Sequence, residues 1–192
     1  MDITIKGLCK SFEGKCVLDN FDAVFPEGKI SCIMGDSGCG KTTLLNILLG
    51  FEEPDEGTIE GLPDRIGVVF QEDRLCEDFS AVSNIMLVTG NRYSKDEIRD
   101  FLARLGLKDV GDQAVREFSG GMKRRVAIAR ALLFDCDLVV FDEAFKGLDA
   151  DTKDFVLQCA RESTFGKTVI SVTHDAYEAE VFSDVLIRME RK

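Results

Sequence analysis

The sequence predicts an α/β fold, a parallel sheet with helices on its faces and a helical segment inserted into it. Three observations carry that prediction. The last third alternates short apolar runs (138–141, Thr168–Thr173, 185–189) with helical ones (about 150–163 and 176–182), and strands joined through helices pair in parallel. The apolar run Ile30–Met34 passes through a glycine-rich turn at 35–40 into an apolar helix over about 41–49, stopped by Gly50. Between about 72 and 135 the strand pattern gives way to helix signals.

The elements follow in order. Runs 3–9 and 16–25 read as strands, punctuated by Glu13-Gly14-Lys15 and Pro26-Glu27-Gly28, and 58–59 and 66–70 as short ones. Ser94 and Glu97 form a capping box ahead of Ile98, Phe101, Leu102 and Leu105, an i, i+3, i+4, i+7 face that ends near Gly106. A second helix is expected over about 119–134, entered through Ser119-Gly120-Gly121. The 192 residues make one domain, with 1–71 and 136–192 as the β-rich core and about 72–135 as a helical subdomain. No internal repeat, low-complexity tract or linker divides them.

Composition excludes several classes. Lys and Arg number 24 against 35 Asp and Glu, a net charge of −11, so non-specific nucleic-acid binding is not expected. The one compact basic run, Lys123-Arg124-Arg125, reads as an exposed helix face. Apolar runs stop well short of the roughly 18 residues that a membrane span needs, and Met1–Lys6 lacks the pattern of a signal peptide. Seven cysteines, an odd number without a Cys-x-x-Cys pair, support neither a disulfide framework nor a zinc site. Several of them, in apolar runs, read as small core residues, and a reducing cytosol fits the set.

Gly35-Asp36-Ser37-Gly38-Cys39-Gly40-Lys41-Thr42 fits the phosphate-binding pattern of Gly, four residues, Gly-Lys-Thr, in its required strand–loop–helix setting. The glycines let successive N–H groups converge on phosphate oxygens at a helix N-terminus. Lys41 supplies a point charge for the β- and γ-phosphates, and the Thr42 hydroxyl, with Thr43 beside it, suits a Mg²⁺-bound nucleotide. Asp36 fills a variable position, and Cys39 reads as a small tolerated side chain. Leu138-Val139-Val140-Phe141-Asp142-Glu143 is an apolar strand ending in two carboxylates. Asp142 there suits Mg²⁺, and Glu143 suits the proton of an attacking water.

The remaining motifs, in this order, resemble the ATP-binding cassette (ABC) ATPases, nucleotide-binding subunits of ABC transporters. Phe118-Ser119-Gly120-Gly121-Met122, followed by a basic, Ala-rich run to Leu132, resembles the family's signature. Gln71 matches its Q-loop glutamine, Gly147-Leu148-Asp149 its D-loop, His174 its switch histidine and Phe12 the aromatic that stacks on adenine. The resemblance spans essentially the whole chain. It implies a P-loop NTPase fold whose first strands form an antiparallel β subdomain. It also implies a head-to-tail dimer in which Ser119, Gly120, Gly121 and Asp149 face the nucleotide of a second copy. Gln71 would join Mg²⁺ and water, and His174 would contact the γ-phosphate. ATP and Mg²⁺ are the implied cofactors. The implied partners are transmembrane permease subunits, with an extracytoplasmic solute-binding protein in the same system, and the implied location is the inner face of the cell membrane. The pattern around 8–21 is similar to importer subunits for nitrate, sulfonate or taurine-like solutes.

This sequence departs from the family in four places. Met122 replaces the signature Gln, Phe118 replaces Leu, Lys146-Gly147 stands where Ser-Ala is frequent, and Phe12 replaces Tyr. Two other readings remain open at this level: a soluble ABC ATPase not coupled to transport, and a non-hydrolysing ATP-binding module.

Overall fold

The computed structural model describes residues 1–108, 110 and 112–190. Its centre is two strands buried along their whole length, β6 (Leu138–Asp142) and β7 (Thr168–Thr173). With β3 (Ile30–Met34), β5 (Ile66–Val69) and β8 (Val185–Arg188) they form a five-stranded parallel sheet in the order β5-β6-β7-β3-β8. Alternate residues of β6 serve opposite faces, as strand geometry requires. Val139 and Phe141 join the apolar cluster built with the later helices, whereas Leu138 and Val140 join the one beneath the N-terminal strands.

Those N-terminal strands, β1 (Ile3–Phe12), β2 (Lys15–Phe25) and β4 (Glu56–Glu60), form a separate antiparallel sheet in the order β2-β1-β4. Ile3, Ile5, Leu8 and Phe25 from it close over α1 (Lys41–Leu48). Between β5 and β6 lie α2 (Ala81–Thr89), α3 (Lys95–Arg104) and α4 (Gly120–Leu133). After β6 come α5 (Ala150–Ser163) and α6 (Ala176–Phe182). Among the described residues no helix is long and apolar enough to cross a membrane.

The capping box at α3 forms as expected: Ser94 N donates to Glu97 Oε2 at 2.8 Å, and Glu97 N to Ser94 Oγ at 3.2 Å. Ile98, Phe101, Leu102 and Leu105 are all buried. Helix α2 is not signalled by the sequence. Its run Ala-Val-Ser-Asn-Ile-Met-Leu-Val-Thr is β-branched and lacks an acidic N3 residue, so local preference does not mark it. Burial of Ala81, Val82 and Ile85 beside α4 and the cap bond from Ser83 N to Ser80 Oγ hold it. The expected exposed face at Lys123-Arg124-Arg125 needs correction. Arg124 lies on the face of α4 that carries Ala127, Ile128 and Ala131, and its side chain is only 8% exposed.

Candidate nucleotide-binding and catalytic site

Parallel pairing sets Met34 of β3 beside Thr173 of β7, and Val172 of β7 beside Asp142 of β6. The residues that follow these strands therefore emerge together at the sheet's carboxyl edge, where open α/β sheets bind ligands. They are Gly35, Glu143 and His174.

The loop after β3 is pinned by its glycines. A Cβ on Gly35 would run into the Met189 carbonyl oxygen and lie 2.7 Å from Cys39 Sγ. Gly40, the N-cap of α1, has φ 102, and a Cβ there would meet Leu18 Cδ2 at 2.9 Å and Val17 O at 3.0 Å. No side chain caps α1 and no acidic residue sits in its first turn, so its N–H groups and positive dipole end remain open to an anion. Lys41 is buried, its ammonium donating to Gly35 O at 2.6 Å and Asp36 O at 2.8 Å. Two loop carbonyls thus fix the cation in place. Cys39 is buried beside it, 3.7 Å from Nζ, as expected of a small packed side chain.

Asp142 is buried at the end of β6. Burial and the neighbouring Glu143 push its carboxyl above the usual range, with Arg124 and Lys41 opposing. Glu143 has φ 47, an uncommon conformation for a residue with a side chain. Its main chain is held at both ends: N donates to Val172 O at 2.9 Å, and O accepts from Arg124 Nη2 at 2.9 Å. Both carboxylate oxygens are engaged, Oε2 by Lys146 Nζ at 2.8 Å and Oε1 by His174 Nδ1 at 3.1 Å. Partial burial raises the Glu143 carboxyl, but these bonds outweigh it and leave it below the ordinary value. His174 is exposed, while Asp175 next to it caps α6 and is bound by Lys153 at 2.7 Å.

An open cleft of about 740 Å³ unites Gly35, Asp36, Ser37, Lys41, Glu143 and His174, with Lys146 on its wall. Gln71 lies elsewhere. It lines a neighbouring groove with Gly120, Gly121 and Gly147, and Lys146 borders both spaces. At the edge of that groove Ser119 caps α4, its Oγ accepting from Met122 N at 3.3 Å. Asp149 caps α5, and the Thr152 N–H holds its carboxyl below the usual range. Met122 is partly buried against the apolar cluster of the helices. Phe12 ends β1 and is 40% exposed, with the Lys10 ammonium 5.2 Å from its ring centre; it does not line the cleft. Sequence reading missed what Lys146 and Arg124 touch. The three-residue spacing from Glu143 was the one available signal for Lys146.

The donor set suits a divalent cation held mainly by its nucleotide. Among the described residues no group of three or more His, Cys, Asp or Glu could hold a metal unaided. The Asp142 carboxylate takes no hydrogen bond, and Thr42 beside Lys41 is exposed. One carboxylate and one hydroxyl beside a phosphate loop is the arrangement magnesium accepts.

The chain is similar to proteins of a known family. The family model described as ABC transporter matches residues 18–146. An aliphatic sulfonates import ATP-binding protein of Pseudomonas syringae is 35% identical over 193 residues, covering 98% of this chain and 80% of its own length. A bicarbonate transport ATP-binding protein of Synechococcus elongatus is 36% identical over 190 residues, covering 90% and 68%. Among solved structures, a dimeric bacterial ABC transporter cassette superposes with TM-score 0.86 at 29% identity, covering 98% of this chain and 94% of that one. A dimeric post-hydrolysis state of an ATP-binding cassette, bound to ADP and Pi, superposes with TM-score 0.85 at 28% identity, covering 99% and 96%. Fold, motif order and kinship converge: the chain belongs to the ABC transporter family, as one of its ATPase cassettes.

Proposed function

We propose that this chain binds ATP in the Lys41 cleft, closes on a second copy, and hydrolyses ATP to drive solute import through separate membrane subunits. The observation that carries this reading is the meeting of Lys41, Glu143 and His174 in one cleft at the ends of three adjacent strands.

Lys41 and the loop N–H groups of 35–43 hold the β- and γ-phosphates, and Phe12 stacks on the adenine. Thr42 and Asp142, with Gln71 brought in from the neighbouring groove, would hold Mg²⁺, which would neutralise phosphate charge. Glu143 accepts the proton of the attacking water, and His174 orients it against the γ-phosphate. Each Glu143 oxygen keeps a second acceptor site beside its bond to Lys146 or His174, through which the carboxylate can take a water proton. Ser119, Gly120, Gly121 and Asp149 meet the nucleotide of the partner copy. Residues 72–135 act as the helical subdomain that carries this signature.

The membrane subunits would dock where β5, α2 and α4 leave an apolar groove lined by Ile66, Val68, Phe70, Val88 and Phe134. Phe79, just before α2, and Leu87, within it, are exposed. On this reading the chain works on the cytoplasmic face of the membrane, with an extracytoplasmic binding protein delivering solute. The relatives named for sulfonates and bicarbonate make a small oxyanion the first solute class to try. Phosphate release by the wild-type chain and by Glu143→Gln, with ATP affinity measured on both, tests the reading. Equal turnover at equal affinity would overturn it.

A further inference from the structure

We propose that Arg124 is a positioning residue for hydrolysis, a buried guanidinium that ties the N-terminal turn of α4 and the segment bearing Gln71 to the main chain of Glu143. The proposal rests on Glu143 being the general base.

Three segments meet at this one side chain. Nη1 donates to Phe70 O at 2.6 Å and to Asp73 Oδ1 at 3.1 Å, and Nη2 donates to Glu143 O at 2.9 Å. Phe70 and Asp73 flank Gln71, so the bonds fix the peptide just before that glutamine and the turn just after it. Arg124 itself sits one turn into the helix that Ser119 caps. The side chain is 8% exposed and Asp73 25%, so the charge is shielded from water and its bonds are charge-assisted.

What Arg124 grips at Glu143 matters most. Glu143 holds φ 47, a strained conformation that persists where surrounding contacts over-determine it. Val172 O binds one side of the residue and Arg124 the other. The direction of the Cα–Cβ bond, and so the reach of the carboxylate into the cleft, follows from that conformation. A shift of α4 against the sheet larger than the side chain can follow moves the Glu143 carbonyl or breaks the 2.9 Å bond. Arg124 thereby links the placement of the signature helix to the placement of the base. A lysine keeps the charge but not the planar fork that reaches acceptors on separate segments, and a glutamine offers two N–H donors for three acceptors.

The test uses the full chain with Arg124→Gln and Arg124→Lys, measuring kcat and KM for ATP hydrolysis, ATP affinity by calorimetry and Tm. Small misplacement of a reacting group costs up to ~100-fold in rate. The expected result for Arg124→Gln is a kcat lowered about 10- to 100-fold, with KM and ATP affinity within about twofold. Arg124→Lys should recover part of the loss. If Arg124→Gln does not fold, Arg124→Lys decides alone, and a several-fold fall in kcat at unchanged KM supports the proposal. Unchanged kcat in a folded variant, or kcat that tracks only the loss of folded protein, overturns it. Glu143→Gln is measured in parallel. Wild-type turnover there overturns the base assignment and this proposal with it, whereas a dead Glu143→Gln beside a normal Arg124→Gln overturns this proposal alone.

Discussion

A Cβ placed on Gly35 would collide with the Met189 carbonyl, and one on Gly40 would crowd Val17 and Leu18, whereas one on Gly120 would meet nothing within 4 Å. Gly121 would touch only Leu148, at 3.8 Å, and neither Gly120 nor Gly121 has positive φ. The two glycine-rich loops therefore differ in what demands their smallness. Around the Lys41 loop the demand comes from this chain's own packing. At the tip of α4 no described residue requires it, so that tip is open to something that approaches from outside. That contrast is the physical ground for reading one loop as a site in its own right and the other as half a site completed by a second copy.

The largest expected effect addresses the first loop's chemistry. Glu143→Gln should retain ATP binding and lose ~100- to 10,000-fold in turnover, measured as phosphate release against binding by calorimetry. Next, Lys41→Ala removes a cation preset by two carbonyls. A lost charge-assisted bond of about 1.5–3 kcal/mol should weaken ATP at least ~10-fold, and equal affinity would contradict the role of the loop.

The two glycine sets can then be compared directly by thermal unfolding. Gly35→Ala should destabilise the chain by about 1–3 kcal/mol through overpacking. Gly120→Val should stay within about 0.5 kcal/mol of wild type while abolishing ATP-dependent dimer formation. Similar stability losses in both would erase the distinction.

The smallest effect lies at the far end of β3. Asp184 Oδ2 accepts from Ile30 N at 3.0 Å and Oδ1 from Arg161 at 2.6 Å. The Ile30 N–H, helped by Arg161, holds this carboxyl below its ordinary range, against the rise from burial. A depressed folded value means the stabilisation is present above the unfolded aspartate value of ~3.9 and disappears as pH falls through the folded one. Asp184→Asn should therefore cost about 1 kcal/mol at pH 7 and progressively less as pH falls below the unfolded aspartate value of ~3.9, a trend that unfolding curves at several pH values would reveal.

Much of this was legible in the sequence because local signals agreed with tertiary ones. Ile30–Met34, Ala150–Ser163, Thr168–Thr173 and Ala176–Phe182 are apolar-patterned segments with clear stops, and their strand-end residues fell where the Lys41 cleft needs them. Helix α2 escaped because its hold is tertiary, through Ile85 in the core and Asn84, which accepts from Cys76 N at 2.8 Å. Arg124 was misjudged because the basic triplet was read as a unit, although the i, i+3, i+4, i+7 spacing of Arg124 to Ala127, Ile128 and Ala131 marks it as the inward member. What the sequence does not show is its acceptors, which the position of α4 against Phe70, Asp73 and Glu143 supplies. Gln71, Ser119 and Asp149 were identifiable by motif, and none of the three lines the Lys41 cleft of its own chain.

The solution mass of the Glu143→Gln protein with saturating ATP and Mg²⁺ bears most directly on the claim that ATP lies between the Lys41 loop of one copy and the Ser119 tip of another. The claim predicts twice the mass of a single chain, reverting to one chain when Gly120→Val is added. A single-chain mass with ATP demonstrably bound, or a dimer indifferent to Gly120→Val, would contradict it.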